Sequence, residues 1–478
     1  MSTQVTEMEQ DAVAIVEPAD WWTGPGRLRE VLVLALPLVA SNLTWTLNNF
    51  IDRVFLMRDS EAAVAAALPA GVSFFTLCCI PLGIASYVVT FVSQYYGANR
   101  EDRVGAAVWQ GLWIALGCLP LVFAAAPFAH ALFELAGHKP NIAALETVYF
   151  QISCVASPAL VGAAALAGFF TGRGNSKIVM LADVAAAATN IVLDYCWIFG
   201  NFGFPAWGIA GAAWATVIAL WVKFFILFAL FLRPSTSERF GVWQGMRWDR
   251  ELMGRLLTFG GPNGVQMFIE VAAFNVFILL VGALGELELA ASSLAFNLNN
   301  LAFMPAWGVS MAATTLVGQY LGRNRADLAE RSTWTALGVT TVYMLVISGV
   351  YVLTPNLFMA AYWSGENSMN GDPQLQSTVT VLLYFVASYC LLDGVNVIFA
   401  GALKGAGDTH YIMYTNIVLG SSVVVLTWLG IRYFELGLYS AWTILTLWVC
   451  ALGVIFMRRF LQGHWREMRV IEGEGARG

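Results

Sequence analysis

The chain has 478 residues, of which 58% are hydrophobic and only 12% charged, with a net charge of −6 and a mean hydropathy of +0.67. Water-soluble proteins carry about 25% charged residues, so this composition excludes a soluble enzyme or a nucleic-acid-binding protein. It reads as an all-α, polytopic membrane protein whose solvent is the lipid bilayer.

Residues 1–30 are polar and acidic until Arg27 and Arg29, and they lack the basic-then-apolar layout of a cleaved signal. They read as a cytosolic tail. Apolar runs follow at roughly 31–57, 66–95, 105–135, 142–171, 177–200, 207–232, 254–284, 289–321, 330–361, 376–403, 410–432 and 437–460. Each is long enough to span as a helix at about 1.5 Å per residue. The expected layout is an N-lobe at 31–232, a cytosolic linker at 233–253, a C-lobe at 254–460 and a cytosolic tail at 461–478.

Basic residues test this count. With the N-terminus in the cytosol, 20 of the 25 Lys and Arg fall on inner segments, Lys404 among them. The outer connections hold only Arg58, Lys139 and Arg432, and Arg53 and Lys223 lie inside spans. Such asymmetry puts both termini in the cytosol. All seven cysteines sit in apolar runs without C-x-x-C spacing, and the four histidines stand at or beyond span ends. No histidine- or cysteine-based metal site, cofactor or embedded acyltransferase centre is expected. No phosphate-loop motif G-x-x-x-x-G-K-[ST] occurs either, so the chain does not itself power transport with ATP.

The two halves repeat. VSQYYGANRED at 92–102 matches VGQYLGRNRAD at 317–327 with an offset of 225, which also relates Pro37 to Pro262. GRGNS at 172–176 matches GAGDT at 405–409 with an offset of 233. Both copies of each motif fall on the inner side, so the repeats run parallel, six spans each, as in two-lobed transporters. Gln94, Asn99 and Arg100, with Gln319, Asn324 and Arg325, read as loop-closing groups at the inner rim. G-x-G-[ND]-[ST] reads as a helix stop followed by an N-cap.

The acids do not repeat. Between Arg255 and Glu286 the only charged residue is Glu270, near the middle of its span. Charge at that depth is costly and marks ion or substrate paths. Asn263, Gln266 and Glu270 share one helical face, yet at the repeat offset Glu270 falls on Trp45. Asp393 lies mid-span in the tenth run, with Tyr389 one turn before it. Two such acids can share a proton or clasp Na⁺, and Tyr389 can add a cation–π contact. In the first half, Asp52 follows Asn48 by one turn, and Asp183, Asn190 and Asp194 share a face of the fifth span. Asp183, near the inner end, reads as a surface cap, and Lys223 as a packed, snorkelling side chain.

D-R-x-x-[LM] late in the first span, the V-[SG]-Q-x-x-G loops, the G-x-G-[ND]-[ST] turns and WGIAGAAWAT at 207–216 together resemble the multidrug and toxic compound extrusion (MATE) family over roughly residues 30–460. The resemblance implies a twelve-helix antiporter that expels organic, often cationic compounds in exchange for Na⁺ or H⁺. Glu270, Tyr389 and Asp393 are similar to the NorM-type arrangement of an acid in the seventh span and Tyr-x-x-x-Asp in the tenth. Asn190 and Asp194 match the family's first-lobe cation and proton site, with Thr216 matching a threonine beside it.

The expectation is a coupling site at Glu270 and Asp393, where Na⁺ would bind, with Asp52, Asp194 and Asn190 as a second site. Gln266, Asn263, Asn48 and Thr216 are expected to line the substrate cavity. The protein is expected to act as a monomer in the bacterial inner membrane, with an organic small molecule as substrate and no ATPase partner or nucleic acid. A flippase for lipid-linked sugars is the alternative; it calls for several embedded basic residues, and only Arg53 and Lys223 are available.

Overall fold

The computed structural model describes residues 21–355 and 373–472. Residues 1–20, 356–361 at the end of the expected ninth span, and 473–478 lie outside the described residues. Long helices account for nearly everything else. Among the described residues, eleven helices are long and apolar enough to cross a membrane, and a bent pair taken as one span makes a twelfth. Spans 1 to 6 are Leu28–Asp59, Glu61–Gly97, Glu101–Leu135, the pair Pro140–Cys154 and Ser157–Gly172, Ser176–Phe199, and Ile209–Leu232. Spans 7 to 12 are Arg250–Gly282, Glu286–Gly322, Ala326–Leu353, Pro373–Ala406, Thr409–Tyr433 and Leu438–Leu461.

Local chemistry sets several boundaries. Ser60 caps span 2 by accepting from the Ala63 N–H at 3.0 Å, and Asp249 caps span 7 by accepting from Leu252 at 3.0 Å. Span 4 bends by 47° between its two helices, because Pro158 opens the second one and has no N–H to continue the first. The linker forms a short helix, Pro234–Phe240, and then lies along span 3, where Trp109 Nε1 donates to the Val242 carbonyl at 2.8 Å.

The repeat is visible in the backbone. Asn99 and Asn324 both adopt left-handed conformations, with φ of 56° and 57°, and Gly174 and Gly407 do so at 86° and 113°. Asn175 and Asp408 do occupy N-cap positions, but neither side chain makes a capping bond. Asp408 instead accepts from Arg459 Nε at 2.7 Å.

The motif glutamines reach farther than loop closure. Gln94 Nε2 donates to the Gly405 carbonyl at 3.0 Å, and Gln319 Nε2 donates to the Gly172 carbonyl at 2.8 Å. Each glutamine therefore binds the G-x-G turn of the other lobe. A Cβ on Gly97 would strike the Gln319 carbonyl, and one on Gly322 would strike that of Gln94. The motif glycines are what let the lobes meet this closely.

The lobes are joined at one end only. Toward the arginine-rich end, where the motif loops lie, two hydrophobic cores straddle them. Val31, Leu34 and Leu38 of span 1 pack with Leu316, Phe399 and Phe456, while Leu252 and Leu256 of span 7 pack with Val92, Phe169 and Phe231. Toward the other end each lobe has cores of its own. Among the described residues, no hydrogen bond crosses between lobes farther from the arginine-rich end than Asn42 to Met304 and Asn263 to Gly83.

Candidate functional site

Acidic clusters lie in both lobes, and they are built differently. In the N-lobe, span 1 supplies Asn48 and Asp52, span 5 supplies Asn190 and Asp194, and span 6 supplies Thr216. Asn190 and Asp194 are both fully buried, with 0% exposure. The carboxyl groups of Asp52 and Asp194 stand within hydrogen-bonding reach of each other. Asn48 Nδ2 points at Asp52 Oδ2 at 3.4 Å. The Asn190 amide is best satisfied donating to Asp52 Oδ1 and Asn48 Oδ1, both at 3.0 Å, and accepting from the Thr216 N–H at 3.2 Å.

One atom in this cluster is left over. Asp194 Oδ1 has no hydrogen-bond partner among the described residues. Buried polar atoms are nearly always paired, and two carboxylates in contact repel one another in a weakly polarisable interior. The arrangement calls for a positive charge, either a proton held between the acids or a small cation on their oxygens.

In the C-lobe the acids are kept apart. Glu270, half-buried on span 7, accepts from Gln266 Nε2 of its own helix at 2.7 Å. Asp393, 8% exposed on span 10, accepts from Asn396 Nδ2 of its own helix at 3.3 Å. The two acids interact electrostatically, and Tyr389, buried one turn away, lies in the field of Asp393. Among the described residues no group of three or more His, Cys, Asp or Glu is placed to hold a metal ion. Any cation here would therefore also need amide or hydroxyl oxygens, and Gln266, Asn396 and Tyr389 carry them.

Other expected residues also make bonds within the fold. Asn263 is spent on the seam between lobes, donating to the Gly83 carbonyl at 2.7 Å. Thr216 donates its hydroxyl to Ala212 of its own helix at 3.1 Å. Asp183 is no surface cap: it pairs with Lys223 Nζ at 2.5 Å and accepts from Ser41 Oγ at 2.6 Å. The shared helical face with Asn190 and Asp194 thus splits, because Lys223 on the neighbouring span captures its inner member. Lys404, counted with an inner connection, lies within span 10, which runs on to Ala406. Its ammonium acts electrostatically on Glu270.

Three residues escaped the sequence. Tyr149 of span 4 stands beside Asp52 and Asp194 with its hydroxyl in reach of Thr216. A tyrosine in an apolar run gives no sign of that. Asn396 was legible in principle, being three residues after Asp393 on the same face. That Lys404 of span 10 acts on Glu270 of span 7 depends on how the spans of the C-lobe are arranged, which the sequence alone does not give.

Two pseudo-symmetric six-span lobes with acids buried in each define a membrane transporter of the parallel-repeat class. The MatE family profile matches residues 37–196 and 262–429, one segment in each lobe. The chain belongs to this family, the multidrug and toxic compound extrusion family. Among its relatives, "Probable multidrug resistance protein NorM" of Xanthomonas campestris pv. campestris is 31% identical over 81% of this chain and 83% of its own. "Multidrug resistance protein PmpM" of Pseudomonas aeruginosa is 27% identical over 92% of this chain and 94% of its own. Among solved structures, the outward-facing conformation of a multidrug resistance MATE family transporter superposes with a TM-score of 0.83 at 18% identity, covering 93% of this chain and 98% of that one.

Proposed function

We propose that this protein exports organic compounds, cationic or amphipathic in character, from the cell in exchange for inward Na⁺ or H⁺. The carrying observation is the N-lobe cluster, in which two carboxylates meet and Asp194 Oδ1 is buried without a donor. The names of the NorM and PmpM relatives support drug efflux as the class of transport. The basic residues favour an inner-membrane placement with the arginine-rich end and both chain ends in the cytosol. Both clusters are complete within one chain, which favours a working monomer, and transport needs no ATPase partner.

In this reading the lobes rock about their seam. The state in hand, sealed at the arginine-rich end, is the one that releases substrate outside and receives the ion. The ion neutralises Asp52 and Asp194, and a second site at Glu270 and Asp393 acts alongside them. Neutral clusters let the lobes close outside, and loss of the ion to the cytosol restores affinity for a cationic substrate. Coupling requires only that ion and substrate favour opposite states. The flippase alternative loses ground, because Lys223 is already neutralised by Asp183.

Dye efflux from inverted vesicles, driven separately by a Na⁺ gradient and by a pH gradient, tests the reading. Efflux should follow at least one of them. Dye movement indifferent to both would refute ion coupling.

A further inference from the structure

After span 12 the chain does not leave the protein. Trp465 is buried and stacks on Phe460 at 4.6 Å between ring centroids, and Arg466 pairs with Glu330 at 2.6 Å, so the tail is anchored on the C-lobe. It then crosses to the other lobe. The Val470 N–H donates to Gln94 Oε1 of the N-lobe at 2.8 Å, while its carbonyl still accepts from Arg255 Nη2 of span 7, in the C-lobe, at 2.7 Å. Val470 and Ile471 are buried in the shared core where span 7 meets Val92, Phe169 and Phe231 of the N-lobe. Glu472 ends the crossing in a cage. Its carboxylate accepts from the Tyr95 hydroxyl at 2.7 Å and from Arg103 Nη2 at 3.0 Å, and Arg100 Nη1 binds its backbone carbonyl at 3.0 Å.

The same device appears in the other half. Tyr320, which corresponds to Tyr95 at the repeat offset, donates its hydroxyl to Glu30 Oε2 at 2.6 Å. Glu30 belongs to the first turn of span 1. Each motif tyrosine is therefore held by a glutamate from the opposite half of the chain.

We propose that Met468–Glu472 is a strap that holds the arginine-rich end of the two lobes shut, with Tyr95, Arg100 and Arg103 as its catch. Gln94 ties the strap to the seam, because it binds the strap through Oε1 and the Gly405 carbonyl through Nε2. Opening this end must break the strap from the N-lobe or carry it away. The strap therefore sets how often that end opens, and transport tuned by the chain's own tail follows from it. The inference assumes that the lobes alternate, but not which ion drives them.

Accessibility at the seam tests it without measuring transport. Ser93 is fully buried against Gly318 of the other lobe. A Ser93→Cys reporter, with Cys154 kept as an internal reference and the other native cysteines replaced, should label with maleimide only when the seam parts. Glu472→Gln should speed labelling at position 93 by about tenfold, as expected from losing one charge-assisted hydrogen bond. Tyr95→Phe should give a smaller increase, and truncation after Arg469 a larger one. Cys154, buried in an N-lobe core at the other end, should be unaffected. Unchanged labelling at position 93 in folded protein would overturn the proposal. So would an equal rise at Cys154, because that reports general loosening.

Discussion

The two lobes share a scaffold but not a chemistry. At positions related by the repeat, backbone angles, glycine contacts and tyrosine–glutamate bonds recur almost residue for residue. The acids do not. The N-lobe gathers Asp52, Asn190 and Asp194 from two helices into direct contact and leaves Asp194 Oδ1 unsatisfied. The C-lobe gives Glu270 and Asp393 each a partner within its own helix. Packing symmetry follows from a shared backbone, whereas a binding site depends on a few side chains that each lobe has settled separately. On the proposed reading, the N-lobe cluster, with Asp194 Oδ1 unpartnered, is the one that takes the positive charge. In the C-lobe each acid has an amide partner and Glu270 also feels Lys404, which on the same reading suits a second ion.

Substitutions can break or sharpen that contrast. The largest effect is expected for Asp194→Asn, which supplies an N–H donor in place of the missing charge. Gradient-driven dye efflux should fall to the level of vesicles lacking the protein, with normal amounts in the membrane. Glu270→Gln and Asp393→Asn should each raise the ion concentration for half-maximal efflux by about tenfold, the scale of one charged hydrogen bond. If these two match Asp194→Asn in severity, the lobes share the task equally.

Smaller effects probe the surroundings. Asn190→Ala and Tyr149→Phe should each slow efflux by roughly three- to tenfold, since each removes one polar contact near the acids. A pH series reads the strap. Burial works against the charge on Glu472, but Tyr95, a backbone N–H and Arg103 together hold its carboxyl below the ordinary glutamate value of 4.5. A depressed value means that the strap is at full strength above 4.5 and is lost as pH falls through the lower, strapped value. Labelling at position 93, corrected for thiolate content, should stay flat from neutral pH and rise only in acid. Last, Lys223→Met should cost about 2 kcal/mol of stability by stranding Asp183, with little change in coupling. Adding Asp183→Asn should recover most of it.

Much of this was legible in the residues. Span count, the parallel repeat and the embedded acids follow from hydropathy, periodicity and the placement of arginine, because the bilayer allows few other solutions. Which acids touch was not legible. Helical spacing gives the face on which Asp183, Asn190 and Asp194 lie, but the rotation of neighbouring spans decides that Lys223 takes the first and Asp52 meets the last. The crossings made by Gln94, Gln319 and the strap were hidden for the same reason. Within one lobe those side chains look like loop closures, and their partners lie roughly 150 to 380 residues away in sequence.

The central claim is that the coupling ion is held at Asp52 and Asp194. Its most direct test is ion release from purified protein on adding an exported dye, followed with a pH indicator and with ²²Na⁺. The wild-type chain should give up about one H⁺ or Na⁺ per dye bound, and Asp194→Asn should release none while Glu270→Gln still releases. Full release from Asp194→Asn, together with its loss in Glu270→Gln, would contradict the account and place the coupling ion in the other lobe.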